Sequence, residues 1–256
     1  MLRLLRTLQP GLAEHAVRRL KEACLITSNI LQRTFSIKHA EGTGTCFTID
    51  VGDRQYLLTA QHVVEGLVAG TDILIQHAQE WKRCPISDVW FAPGGADMAV
   101  ISPRVQLSPA LELDVSGSGG FSVSQEVYFL GFPYGYYTEA GNLNNDYPIP
   151  FVKRGIISGF TKESNGHQVI FVDGHNNPGF SGGPLVTTST THRQNLIGVI
   201  SGYESTEEPI LLNGQPTGLN YTYNTGLVIA YGLELALNHI RANQSGAPIT
   251  TRPPAA

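Results

Sequence analysis

The residue with the plainest chemical promise is Ser181, set in HNNPGFSGGPLV, residues 175 to 186, where two prolines and three glycines surround one serine. Such residues form turns on their own account, and Gly182-Gly183-Pro184 also reads as a turn leading into a strand. A serine hydroxyl becomes a nucleophile beside a base, with backbone N–H groups facing the oxyanion that forms as it attacks a carbonyl. The base is an imidazole, and a carboxylate must fix its tautomer and stabilise its cation. Of the eight histidines, His15, His39, His77, His167, His192 and His239 stand in polar or helical surroundings and read as surface residues. His62 differs. It follows the apolar run QYLLTA where a strand gives way to a turn, a rigid support for a functional side chain, although a histidine there is often merely solvated. Asp97 opens DMAVIS directly after APGGA, so its carboxylate is expected to be partly buried and to need a partner, unless it only caps the turn. The order His62, Asp97, Ser181 is one of the known chain orders of a Ser-His-Asp site, and it places base and orienter in one half of the chain and nucleophile in the other.

The elements that must hold these groups are short and apolar. From Leu31 the runs LQRTFSIKHA, TCFTIDV, QYLLTA, DILIQH, DVWFA and DMAVIS are rich in β-branched and aromatic residues. The Gly/Ser-rich LDVSGSGGFSVSQ, residues 113 to 125, reads as an interdomain linker or long loop. A second series follows: EVYFLGF, FVKRGIISGF, QVIFVD, GPLVTT, NLIGVISGY and YTYNTGLVIA. About six strands in each half, with Gly-rich turns, predict an all-β protein of antiparallel barrels or a sandwich. Helical spacing occurs twice, at Leu12, Ala16, Leu20 and Cys24, and at Leu233, Ala236, Leu237 and Ile240. The first of these reads as a surface helix packed on the body of the protein. The predicted organisation is an N-terminal helical extension over 1–28, a β domain over 29–115 carrying His62 and Asp97, a second over 116–232 carrying Ser181, and a C-terminal helix with a disordered or loosely docked tail over 233–256.

Composition narrows the function. A net charge of −4 with no long basic run argues against nucleic acid as the principal partner. No stretch approaches the roughly 18 to 20 apolar residues of a membrane span. The N-terminal stretch lacks the apolar core and cleavage site of a secretory signal. Cys24, Cys46 and Cys84 are an odd set at unrelated spacings, without a C-x-x-C or a nearby histidine pair, which argues against zinc and favours a reducing, cytoplasmic compartment; export by a signal outside this sequence is the alternative.

The motifs TGTCFTI, LLTAQHVV, ADMAVI, GFPYG, GIISG, NNPGFSGGPLV and LIGVISG resemble, in order and spacing, the chymotrypsin-fold, trypsin-like serine proteases, and most closely the HtrA-like bacterial branch. The resemblance covers roughly residues 30 to 240. It implies two six-stranded antiparallel β-barrels with the site between them. It further implies His62 as general base, Asp97 as its orienter, Ser181 as nucleophile, and the N–H groups of Gly179 and Ser181 as oxyanion hole, with no metal or organic cofactor. By the same resemblance His175, Asn176, Ser201, Gly202, Tyr203 and Gly226 bind the substrate residue before the cut, with His175 at the base of the pocket. The pocket has no carboxylate at its base, so small or medium uncharged side chains are expected there rather than Lys or Arg, with an acidic side chain facing His175 as the alternative, and Tyr203 is expected to narrow its mouth. The acidic stretch Glu204, Glu207 and Glu208 reads as a solvated surface loop, or as a loop that favours basic residues further from the cut.

Three departures from the resembled pattern carry consequences. Phe180 replaces the aspartate with which digestive members bind a newly cut N-terminus, so activation by N-terminal cleavage is not expected. Val63 and Val64 stand where those members bridge the cysteine equivalent to Cys46, so that disulfide cannot form. After the protease region one helix and a short tail are read, not a PDZ domain. The expected function is a serine endopeptidase acting on protein or peptide substrates through an acyl-enzyme, active on its own or ordered by a protein partner. The rivals are a protease-fold binding or scaffolding module and a hydrolase of small esters.

Overall fold

The computed structural model describes residues 26–117, 119–188 and 194–250. The helix read over residues 12 to 24, together with His15, Cys24 and His192, lies outside the described residues. A short helix, α1 (Ser28–Gln32), leads into β1 (Thr34–His39), β2 (Gly42–Val51), β3 (Arg54–Thr59), β4 (Asp72–His77), β5 (Glu80–Phe91) and β6 (Ala99–Pro103). These six pair antiparallel in the order β3-β2-β1-β4-β5-β6, and β6 returns to β3, so the sheet closes into a barrel. After β7 (Asp114–Val115) come β8 (Glu126–Gly131), β9 (Phe151–Lys162), β10 (Gln168–Asp173), β11 (Pro184–Thr188), β12 (Gln194–Leu212) and β13 (Gln215–Gly232). They close a second antiparallel barrel in the order β11-β8-β9-β10-β13-β12, with β12 returning to β11. The fold is all-β, two six-stranded antiparallel barrels, followed by the helix α2 (Glu234–Ala242) and β14 (Ala247–Pro248).

The near-continuous apolar runs have a physical cause, since several strands are buried on both faces. Side chains alternate across a strand, so Leu57 enters the first barrel while Leu58 leaves it. Phe35, Ile37, Ile73 and Ile101 fill that interior with Leu57, and Phe129, Ile170, Val172 and Leu185 fill the second. The outward set, including Phe47, Leu58 and Val100 from the first barrel and Leu130, Val186 and Val199 from the second, meets Leu233, Ala236, Leu237 and Ile240 in a third cluster. Burying each such side chain stabilises the fold by roughly 1.5–3 kcal/mol. This third cluster fixes one barrel against the other, and with it the two halves of the site.

Three expectations are revised. The tail does not hang loose as far as it is described: Ala247 and Pro248 pair with Gln55 and Arg54, and the Ile249 N–H donates to the Asp53 carbonyl. His167 is not a surface residue but buried, beside the Tyr231 ring at 6.4 Å between centroids. The acidic segment Glu204, Glu207 and Glu208 is not a loop. It belongs to β12, which runs 19 residues and pairs with β13, 18 residues long, as an arm extending past the barrel. The reversal lies at Asn213-Gly214, both with positive φ, 52° and 79°, as a tight hairpin turn demands.

Candidate active site

β3 and β6 lie side by side, with Thr59 opposite Ala99, so the turn Gln61–Val64 just beyond β3 meets the residues just before β6. His62 and Asp97 occupy those two positions. Asp97 Oδ1 accepts the His62 backbone N–H at 2.9 Å, and Oδ2 faces the ring Nδ1 at 2.7 Å. An ionised carboxylate only accepts hydrogen bonds, so Nδ1 carries the proton and Nε2 is left as the acceptor. The Asp97 hydrogen bond holds the imidazole above its ordinary pKa, with burial opposing it and the charges of Asp97 and Glu65 assisting. Burial pushes Asp97 up. The hydrogen bonds from the His62 ring, the Ser201 hydroxyl and the His62 N–H outweigh it and leave the carboxyl below its ordinary value.

Ser181 comes from the loop between β10 and β11, and the first barrel grips that loop through Thr45 of β2. Thr45 N–H donates to the Ser181 carbonyl at 2.8 Å, and its hydroxyl donates to the Gly179 carbonyl at 2.7 Å. The Ser181 hydroxyl donates to the Ser201 carbonyl at 2.8 Å rather than to His62. Ser201 Oγ in turn donates to Asp97 Oδ2 at 2.6 Å. His62, Asp97, Ser201 and Ser181 therefore form one hydrogen-bonded chain, with Ser201 as the link that sequence reasoning had assigned only to substrate binding.

The two N–H groups expected at the oxyanion hole are set by their neighbouring carbonyls. The Pro178 carbonyl accepts the Tyr134 N–H at 2.9 Å, and the Phe180 carbonyl accepts the Gly183 N–H at 2.9 Å. In a trans peptide the N–H points opposite the carbonyl, so the Gly179 and Ser181 N–H groups are turned the other way, and neither has a hydrogen-bond partner among the described residues. Gly179 adopts φ +104°, and a Cβ there would stand 2.2 Å from the Phe132 carbonyl oxygen, so only glycine fits. Gly182 and Gly183 are equally confined, since a Cβ there would stand 2.0 Å from the Thr45 and Leu130 carbonyl oxygens, which accounts for the glycines crowded around the serine.

The three walls expected for the pocket are brought together. Asn176 is buried and donates to the Gly202 carbonyl at 3.0 Å; Asn224 donates to the Asn176 carbonyl at 2.7 Å; and the Gly174 N–H donates to the Gly226 carbonyl at 2.9 Å. His175, expected at the pocket base, has an exposed side chain, while Asn176 takes the interior position. Tyr203 is 36% exposed. Sequence reasoning missed Asn224, Thr45 and also Lys153, which donates to the His175 carbonyl and to Asn177 Oδ1 and sits 5.1 Å from the centroid of the Phe180 ring. Phe180 itself is buried against Phe129, ring centroids 5.3 Å apart. A serine among turn residues could be found by pattern; a lysine distant in the chain offers no local pattern. No group of three or more His, Cys, Asp or Glu suited to a metal occurs among the described residues.

Double barrel, carboxylate-oriented imidazole and glycine-framed serine define the serine peptidases of chymotrypsin fold. The chain belongs to the trypsin-like peptidase family, whose domain model, "Trypsin-like peptidase domain", matches residues 42–199. It is a hydrolase of protein or peptide substrates. No curated protein sequence matches it. Solved structures share the fold. One is Rv3671c from M. tuberculosis H37Rv, a serine-to-alanine mutant in an inactive form, with TM-score 0.56, 16% identity, and 94% of this chain and 97% of that one covered. The HtrA-type protease AlgW with tripeptide gives TM-score 0.54 and 22% identity over 84% of this chain and 61% of that one, so this chain spans less than two thirds of it. A serine endoprotease from Yersinia pestis gives TM-score 0.52 and 19% identity, covering 85% and 67%.

Proposed function

We propose that the protein is an endopeptidase that cleaves its substrates through an acyl-enzyme on Ser181. The observation that carries this reading is the hydrogen-bonded chain from His62 through Asp97 and Ser201 to Ser181, beside two outward-turned N–H groups. His62 Nε2 takes the Ser181 proton as Oγ attacks the substrate carbonyl, and the Gly179 and Ser181 N–H groups stabilise the oxyanion. The imidazolium then protonates the leaving amine, and water, deprotonated by the same Nε2, releases the acid. Asp97 remains ionised throughout, supported by Ser201.

The resting position of the hydroxyl supports activation by the substrate itself. A main-chain N–H of the substrate laid along β12 competes for the Ser201 carbonyl, and the displaced Ser181 hydroxyl rotates toward Nε2. An ordering protein partner is then not required, although one that seats the substrate would accelerate the same step. The Asn176 amide bridging to Gly202 supports a shallow pocket that takes small or medium uncharged side chains. The free, buried thiols of Cys46 and Cys84 support a compartment that keeps thiols reduced.

The test is labelling by a fluorophosphonate probe with and without Ser181→Ala, followed by cleavage of an internally quenched peptide. Labelling and cleavage that both vanish in the variant support the proposal. A protein that is folded yet neither labelled nor active favours the binding-module reading, and turnover of simple esters alone favours the esterase.

A further inference from the structure

β12 pairs with β11 only as far as Val199, after which Ile200 exchanges backbone hydrogen bonds with Gly182 and Gly183. Its other edge pairs with β7 and then with β13 out to Leu212. From Tyr203 onward one edge of β12 therefore carries no strand among the described residues, and that edge starts beside the nucleophile, at the Ser201 carbonyl. An open edge is a template for another extended chain, and a two-stranded ribbon that leaves its barrel is only marginally stable without a third strand.

We propose that this edge, from Tyr203 to Glu208, is a binding track for the substrate segment that precedes the cut, and that it selects extended polypeptides carrying Lys or Arg at the seventh and eighth residues before the cleaved bond. The inference rests on Ser181 being the nucleophile. A chain antiparallel to β12, with its last residue before the cut opposite Ser201, places its seventh and eighth residues opposite Glu207 and Glu208. The irregularity next to the barrel puts its extra residue, Ser201, on β12, because Ile200 and Gly202 face the adjacent residues Ala230 and Ile229. Beyond it the extra residues lie on β13, where Tyr203 and Ser205 face Val228 and Asn224, so the count outward along β12 from Ser201 is unbroken. At about 3.4 Å per residue, Glu207 lies about 20 Å from Ser201. Glu204, Glu207 and Glu208 are the charged residues between Tyr203 and Gly226, and no Lys or Arg balances them there. Glu207 shares a face with Thr222 and Glu208 shares the opposite one with Tyr221, so a two-sided basic pair fits and a one-sided one does not. The Glu208 carboxylate is already fixed by the hydroxyls of Tyr221 at 3.2 Å and Tyr223 at 2.9 Å. Pro209, which has no N–H to offer, closes the run.

Three internally quenched peptides, identical from the fourth residue before the cut onward, test the track. One begins there, one extends to ten residues before the cut with Lys at the seventh and eighth, and one extends equally with Glu at both. The wild-type protein is expected to cleave the Lys peptide with kcat/KM about three- to tenfold above the other two, mainly through KM, as two exposed ion pairs allow. Glu207→Lys with Glu208→Lys is expected to reverse the order of the long peptides and to leave the short one unchanged, which also reports that the variant is folded. Equal cleavage of both long peptides, or an unreversed preference in the variant, overturns the proposal. Anisotropy of the labelled long peptides on Ser181→Ala reads the track without chemistry, and equal affinities there overturn it too. A wild-type protein that cleaves no peptide and takes no fluorophosphonate overturns instead the assignment of the nucleophile.

Discussion

Replacing Lys153 by methionine removes the ammonium that ties β9 to the loop before the nucleophile. Lys153 donates to the His175 carbonyl and to Asn177 Oδ1, and it faces the Phe180 ring, so one side chain touches the segment from His175 to Phe180 at three points. This loop carries Gly179, whose N–H is turned outward only while Pro178 keeps its hydrogen bond to Tyr134. Hydrogen bonds to a charged donor are worth about 1.5–3 kcal/mol each and a partly exposed cation–π contact about 0.5–1 kcal/mol. Burial acts the other way, lowering the Lys153 pKa, and methionine recovers the apolar contact with Phe180. A net cost of about 2 kcal/mol to the competent loop follows, which is about a 30-fold fall in kcat/KM if the lost free energy appears as a lower population of that loop. The assay is peptide cleavage together with the rate of fluorophosphonate labelling, because labelling needs the same oxyanion geometry. Both are expected to fall together in Lys153→Met and to recover in part in Lys153→Arg, which keeps the charge but not the point geometry. Unchanged labelling in a folded Lys153→Met protein refutes the reasoning, as does equal loss in the arginine variant accompanied by a matching fall in Tm.

Ser181→Ala and His62→Ala are each expected to lower kcat by several orders of magnitude, and the double variant to be little worse than either, since base and nucleophile act as a unit; additive losses would contradict their assignment. The hydrogen bond to Asp97 raises the His62 pKa, so the imidazolium persists to higher pH and kcat/KM begins to fall, on acidification, above the ordinary imidazole range. Asp97→Asn removes the cause and moves that limb to lower pH, which a pH profile checks. Gly179→Ala forces a Cβ against the Phe132 carbonyl and is expected to cost about 10²–10³ in kcat, read from steady-state kinetics, by misplacing one oxyanion donor. Cys46 and Cys84 are buried in the first barrel with thiols raised by burial, Cys84 to about 11, so a thiol reagent is expected to modify them only as the protein unfolds.

Local pattern made the strands and much of the site legible. Apolar runs broken by Gly-rich turns marked both strand series, and a serine between Gly179 and Gly182 marked the loop, because glycine at φ +104° and +83° is a local backbone requirement written into the chain itself. His62 and Asp97 could be placed at strand edges for the same reason. The arm was legible too, since Asn213-Gly214 is a hairpin signal, but charges at Glu204, Glu207 and Glu208 drew the reading toward a loop. What no window of sequence contains is which distant groups meet. Closure of β6 on β3 decides that Asp97 reaches His62, and the packing of one barrel on the other decides that Thr45 grips the Ser181 loop. Ser201 joins Asp97 to Ser181 only because its hydroxyl and its carbonyl leave β12 in different directions. Lys153 and Asn224 become part of the site through pairings of β9 and β13 with β10, and burial of Asn176 in place of His175 turns on how that loop enters the barrel. Residue types set the chemistry available to the chain, and long-range strand pairing set which atoms came within hydrogen-bond reach.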